Sequence, residues 1–121
     1  MTTPRRVLVI EDNLDAAESL RLWLELAGHH VAVAHSGEEG LSRATEVTPE
    51  IVLCDLGLPA GMSGLDVARE LRARHADTIA LVALTGHSGA DILREVKEAG
   101  FDMHVVKPID PAIISKLVEQ V

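Results

Sequence analysis

The chain has 121 residues, of which 47% are hydrophobic, and this predicts a single globular domain over residues 1–121 with its own core. A formal charge of −8 argues against a nucleic-acid partner, because phosphate backbones attract clusters of Lys and Arg. No apolar run reaches membrane-spanning length and the only cysteine is Cys54, so we expect no membrane partner, no disulfide framework and a reducing, cytoplasmic setting.

Short apolar runs alternate with stretches of helical periodicity along the whole chain. This alternation is typical of a parallel sheet whose strands are joined by crossover helices. It predicts five strands, at 6–10, 31–34, 51–55, 79–84 and 103–107. It also predicts five helices, at 14–27, 37–47, 64–75, 89–99 and 111–121.

Capping signals mark the ends of the predicted helices. Asp110 can cap the last helix with Pro111 at its first position, and Gly28 and Gly100 can close the first and fourth helices in the left-handed conformation. Three serine–acid pairs have the spacing of a capping box, each at the start of a predicted helix: Ser36 with Glu39, Ser63 with Asp66, and Ser88 with Asp91.

Charged and polar side chains stand where the apolar strand runs end. Glu11 and Asp12 follow the first run, and the others are Asp55, Thr85 and Lys107 at the third, fourth and fifth. Because the carboxyl ends of parallel strands lie along one edge, where ligands bind, these side chains should converge on one crevice. A buried carboxylate is costly unless it has a partner or a task. Three acids with a lysine suggest a divalent cation and a phosphoryl group.

These residues, in this order, resemble the receiver domain of two-component response regulators. The resemblance covers about residues 5 to 121 and implies a flavodoxin-like, doubly wound α/β fold with five parallel strands in the order 2-1-3-4-5 and five helices. It also implies a switch that takes a phosphoryl group from a histidine kinase or a histidine phosphotransfer protein. The similarity extends to neighbouring segments, namely 55–59, 62–64, 99–102 and Lys107 with Pro108.

The resemblance gives Asp55 the role of phosphoacceptor. An Mg²⁺ cofactor would be held directly by Asp12 and Asp55, through water by Glu11, and by the backbone carbonyl of Gly57. Mg²⁺ keeps several waters, so a few protein oxygens suffice. The alternatives are structural: Asp55 can cap a turn, and Glu11 and Asp12 can simply favour the positive end of the first helix.

The resemblance makes Thr85 and Lys107 the contacts of the phosphoryl group, Thr85 through its hydroxyl and Lys107 as a point charge. It implies a cis bond between Lys107 and Pro108 that aims the lysine inward. Thr85 is also the switch residue, which moves toward the phosphoryl group while the side chain at position 104 fills the vacated space. The alternative for Lys107 is a solvated side chain.

The chain departs from the family pattern at two places. Ala60 and Gly61 separate Pro59 from Met62, where one residue is usual. His104 stands where Tyr or Phe is common, so we expect an imidazole to take part in the switch, with an exposed and indifferent side chain as the alternative.

The expected output is a change in partner binding on the face formed by the fourth helix, fifth strand and fifth helix, where a downstream protein or a dimer partner would dock. The protein would not be an enzyme beyond catalysing its own Mg²⁺-dependent phosphorylation and dephosphorylation. One alternative is a degenerate receiver that acts as a static binding module. Another is an Mg²⁺ phosphatase with an aspartyl nucleophile, which Gly57 disfavours because that position would need a second acid.

Overall fold

The computed structural model describes residues 3–59, 61–87 and 89–121. Within them a five-stranded parallel sheet carries helices on both faces. The strands are β1 (Arg6–Ile10), β2 (His30–Ala34), β3 (Ile51–Asp55), β4 (Ala80–Thr85) and β5 (Met103–Val106). The helices are α1 (Leu14–Leu26), α2 (Gly37–Val47), α3 (Gly64–His75), α4 (Ala90–Ala99) and α5 (Pro111–Gln120).

The strand order is β2-β1-β3-β4-β5, which confirms the predicted doubly wound α/β fold. Every predicted boundary lies within one residue of the observed one. One small correction concerns Thr85, which is the last residue of β4 and not the first residue after it. Among the described residues, no helix combines the length and the apolar character that a membrane span requires.

The strand register brings the carboxyl ends of the strands to one edge. Ile10 pairs with both Ala34 and Cys54, so the residues that follow β1 lie beside the end of β3. Asp55 pairs with Leu84, and Thr85 pairs with Val106. The polar residues at these strand ends therefore stand in a row along one edge of the sheet.

The sheet separates two apolar cores built almost entirely from aliphatic side chains. On one face, α1 and α5 cover Val7, Val9 and Leu53. On the other, α2, α3 and α4 cover Leu8 and Ile10 with their neighbours on β3 and β4. The central strands are buried on both faces, as the predicted crossover architecture requires.

The predicted helix caps are confirmed in part. Ser63 and Asp66 form the full reciprocal capping box at the start of α3. Ser36 accepts a hydrogen bond from the Glu39 amide, but the Glu39 carboxylate accepts from the His35 amide, so this box is only half formed.

The remaining helix ends also follow the sequence signals. Asp110 caps α5 as expected, and Gly100 closes α4 with a φ of 112°, a conformation that a side chain disfavours. Gly28 follows α1 with a φ of 99°. The third predicted box lies partly outside the described residues, because it includes Ser88; Gly89 precedes α4 and supplies no side-chain cap.

Candidate functional site

Three carboxylates meet at the carboxyl edge of the sheet. One carboxylate oxygen from each of Glu11, Asp12 and Asp55 lies within 4.8 Å of the others. Glu11 and Asp55 are only 3% and 4% exposed, while Asp12 lies nearer the surface. Two buried acids side by side repel each other unless a cation or a proton separates their charges. The cluster therefore needs positive charge, as the strand-end pattern predicted.

Lys107 supplies part of that charge. Its Nζ lies 3.0 Å from Asp55 Oδ1 and 3.5 Å from Glu11 Oε1. The lysine enters the site from the end of β5, where its backbone N–H donates to the Thr85 carbonyl at 2.7 Å and the bond to Pro108 is cis. Burial alone would lower the pKa of Lys107, but the hydrogen bond to Asp55 and the charges of both acids raise it.

The two buried acids differ in how readily they hold a proton. Burial, and then the hydrogen bond with Asp55, raise the pKa of Glu11 to about 7. Burial would also raise the pKa of Asp55, but hydrogen bonds from the Glu11 carboxyl, the Gly57 amide at 2.9 Å and Lys107 outweigh it and lower that pKa. The surroundings therefore favour the ionised form at Asp55 and the protonated form at Glu11.

The cluster fits a hard divalent cation such as Mg²⁺. Its donors are carboxylate oxygens, which such ions prefer, and a cation between the buried Glu11 and Asp55 would offset their mutual repulsion. An open cavity of about 460 Å³ borders Glu11, Asp12 and Asp55, so there is room for the waters that Mg²⁺ retains.

Thr85 ends β4, which lies beside β3 and Asp55, and His104 lies on β5. Among the described residues, no hydrogen bond or ion pair joins the side chain of either residue to the three acids. The Thr85 side chain is buried, and its hydroxyl donates to the His87 carbonyl at 3.2 Å and accepts from the His87 amide at 3.1 Å. His104 is exposed and pairs with Ala83, two residues before Thr85 and on the same face of the sheet. The Thr85 hydroxyl is therefore engaged with the backbone of the segment that follows β4.

A larger cavity, of about 890 Å³, opens at the opposite end of the sheet, near Ile79, Met103 and Leu117. Its described lining contains none of the strand-end acids and not Lys107. We assign the functional site to the smaller cavity because the buried charges converge there.

Three contacts around the site were not foreseen from the sequence. The Asn13 amide donates to Glu11 Oε2 at 3.2 Å, His35 Nδ1 lies 3.1 Å from the Glu11 carbonyl, and Glu38 Oε1 accepts from the Met62 amide at 3.0 Å. The first contact is local, since it joins residues two apart in the chain through the Asn13 backbone amide. The Asn13 side chain makes a separate bond, in which it caps α1 by accepting from the Ala16 amide at 3.0 Å. The other two contacts join positions 24 residues apart on different elements, which no short pattern indicates.

Comparison with known proteins gives the same family as the residues do. Residues 7–119 match the response regulator receiver domain. The transcriptional regulatory protein PrrA of Mycobacterium bovis is 36% identical over 121 residues, which cover all of this chain and 49% of that protein. The DNA-binding response regulator MtrA of Mycolicibacterium smegmatis is 37% identical over 110 residues, 91% of this chain and 47% of that protein.

A solved structure supports the fold. The chemotaxis protein CheY4 of Vibrio cholerae superposes with a TM-score of 0.91, at 23% identity, over 98% of this chain and 99% of that one. The chain spans about half the length of the curated relatives that it matches.

Proposed function

This chain belongs to the response regulator receiver domain family of two-component signalling, and we propose that it is a phosphorylation-dependent switch whose phosphoacceptor is Asp55. The observation that carries the proposal is the ionised Asp55 carboxylate, 3.0 Å from Lys107 Nζ and beside two further acids. Such a carboxylate is a nucleophile with a cation already in place for the group that it accepts.

The proposed donor is a phosphohistidine on a histidine kinase or a histidine phosphotransfer protein. An Asp55 carboxylate oxygen attacks the phosphorus, a new O–P bond forms, and the N–P bond of the donor breaks. The electron pair stays on the imidazole nitrogen, which takes up a proton. Phosphoryl transfer of this kind requires mainly positioning and charge stabilisation from the protein.

The residues proposed to hold Mg²⁺ are Asp12 and Asp55 directly, Glu11 through water, and Gly57 through its backbone carbonyl. When bound, the ion neutralises charge on the phosphoryl oxygens. A cation bound there would favour the ionised form of Glu11, because a nearby positive charge stabilises a carboxylate.

Lys107 and Thr85 are proposed to hold the transferred group. The Lys107 ammonium group leaves the Asp55 oxygen and pairs instead with a negatively charged phosphoryl oxygen. Thr85 leaves its hydrogen bonds with the His87 backbone and donates to a second phosphoryl oxygen. The side chain of His104 lies on the same face of the sheet as Thr85. We propose that His104 fills the space that Thr85 leaves, and that this movement carries the conformational change to the outer surface.

The proposed output surface consists of α4, β5 and α5. Val106 and Ile113 are 40% and 53% exposed there, which leaves apolar contact area for a downstream protein or a second copy of the chain. MtrA is named as DNA-binding, but we propose that this acidic domain itself contacts no nucleic acid. We further propose that it works in the cytoplasm and turns over no separate substrate.

Treatment with a small phosphodonor and Mg²⁺, followed by intact-mass measurement, tests the proposal. The wild type should gain one phosphoryl group and Asp55→Asn none. Asp15→Asn, which changes an exposed acid on the first turn of α1, is the matched control and should be labelled like the wild type. An Asp55→Asn variant that is labelled as fully as the wild type would exclude Asp55 as the acceptor. A wild-type protein that is never labelled would favour a static binding module.

A further inference from the structure

The loop between β3 and α3 rests directly on the first turn of α2. Gly37, the first residue of α2, is buried against this loop. A Cβ atom at Gly37 would lie 2.8 Å from Met62 Cβ and 3.2 Å from the Met62 carbonyl oxygen. The close approach exists only because Gly37 has no side chain, so the loop and the helix are in backbone contact.

Glu38, the next residue of α2, holds the loop by a hydrogen bond. Its Oε1 accepts from the Met62 amide at 3.0 Å. Gly61 precedes Met62 with a φ of 73°, and a Cβ there would lie 2.5 Å from the same oxygen. Because Gly61 has no side chain, the Glu38 carboxylate can approach the loop backbone closely enough to accept this hydrogen bond.

The same loop carries the backbone that touches the phosphoacceptor. It begins at Asp55, where the Gly57 amide donates to Oδ1 at 2.9 Å. It ends at Gly64, where a Cβ would lie 2.5 Å from the Asp55 carbonyl oxygen and 2.8 Å from Leu56 Cα. The two ends therefore pack against the end of β3, and Glu38 contacts the loop between them at Gly61 and Met62.

We propose that Glu38 is a positioning residue for the phosphorylation site, which acts through the Met62 amide to hold the loop in the conformation that the metal ion requires. The inference rests on the proposed function, since it assigns the loop to Mg²⁺ binding. The loop has one residue more than the family pattern, and a longer loop loses more conformational entropy when it is ordered. The hydrogen bond to Glu38 would order the loop before Mg²⁺ binds, so that less entropy is lost in the binding step.

Mg²⁺ titration by calorimetry distinguishes this role from a simple charge effect. Glu38→Ala removes the hydrogen-bond acceptor, whereas Glu38→Gln removes the charge and keeps an acceptor oxygen. We expect Glu38→Ala to weaken Mg²⁺ binding about three- to tenfold, the range that one net hydrogen bond supplies, and Glu38→Gln to stay within about twofold of the wild type. Glu46→Ala is the control, because Glu46 lies on the same helix and pairs only with Arg43 among the recorded ion pairs.

Amide hydrogen exchange provides a second readout that does not depend on the metal. In Mg²⁺-free protein the Met62 amide should exchange faster in Glu38→Ala than in the wild type, in Glu38→Gln or in Glu46→Ala. Unchanged Mg²⁺ affinity in a Glu38→Ala variant that merely melts at a lower temperature would overturn the positioning role. Equal weakening in Glu38→Ala and Glu38→Gln would also overturn it, because charge alone would then explain the effect. A wild-type protein without Mg²⁺ affinity would instead overturn the proposed function on which the inference rests.

Discussion

Glu11 and Asp55 are buried side by side, and this arrangement determines how the stability of the protein without metal should depend on pH. Folding raises the pKa of Glu11 from 4.5 to about 7, chiefly through burial. The stabilisation that comes with the bound proton is fully present below pH 4.5 and is lost as the pH rises through about 7. The metal-free protein should therefore become less stable in that window.

The same proton should make Mg²⁺ binding depend on pH. Mg²⁺ competes with the proton on Glu11, so apparent affinity should rise about tenfold between pH 6 and pH 8. Calorimetric titrations at the two pH values measure this change, and Glu11→Gln should remove most of it. An affinity that is equal at both pH values would contradict the shared-proton description.

Lys107 should matter most when no metal is present. Lys107→Ala leaves Asp55 without its cation, and we expect it to lower the free energy of unfolding by about 1–2 kcal/mol, because the lysine is about one-third exposed and solvent screens part of its charge. Millimolar Mg²⁺ should restore part of the loss. Urea unfolding with and without Mg²⁺ measures both effects. Lys97→Ala, on the exposed surface of α4, should change little.

At the scale of the elements, Arg72 joins α3 to the amino-terminal ends of β4 and β5. Its guanidinium donates to the carbonyls of Ile79 and Gly100 at 2.6 Å and 2.8 Å, and to the Asp102 carboxylate at 2.6 Å. Asp102 in turn accepts from the Leu81 amide at 2.8 Å. One planar side chain thus satisfies backbone groups near the amino-terminal ends of both strands, at the opposite edge of the sheet from the three acids.

Truncation of Arg72 should therefore be costly. Arg72→Ala leaves partly buried carbonyls without donors and should lower the free energy of unfolding by about 2–4 kcal/mol. Arg72→Lys should recover little of it, because an ammonium group cannot reproduce the guanidinium fork. Arg69→Ala on the same helix breaks only an exposed ion pair and should cost less than about 0.5 kcal/mol. Similar losses for Arg69→Ala and Arg72→Ala in chemical denaturation would contradict this account.

The sequence predicted the elements well because their signals are local. The strands follow from apolar runs, and the helices from periodicity and caps such as Ser63 and Asp110. The convergence of Asp55 and Lys107 followed from one topological rule, that parallel strands end at one edge. The contacts of Arg72 and Glu38 could not be predicted, because each joins elements far apart in the chain. The proton on Glu11 also depends on distances that no pattern contains.

At the scale of the whole molecule, the response to phosphorylation should be one-sided. We propose that Thr85 leaves the His87 backbone on phosphorylation, and Gly89, at the start of α4, supplies no side-chain cap that would oppose movement of this helix. Hydrogen exchange should therefore change on α4 and β5 on phosphorylation, while β2 and the body of α1 should stay the same. Changes confined to α1 and β2 would contradict the proposed output face.

The central claim is that Asp55 is the residue that accepts the phosphoryl group, and chemical trapping of the acyl phosphate tests it most directly. Borohydride reduces an aspartyl phosphate to an alcohol, which leaves a permanent mass change on the modified residue. After treatment with a phosphodonor and Mg²⁺, peptide mass spectrometry should place that change on Asp55 alone, and omission of Mg²⁺ should remove it. A reduced residue at Glu11 or Asp12, with Asp55 unmodified, would contradict the account.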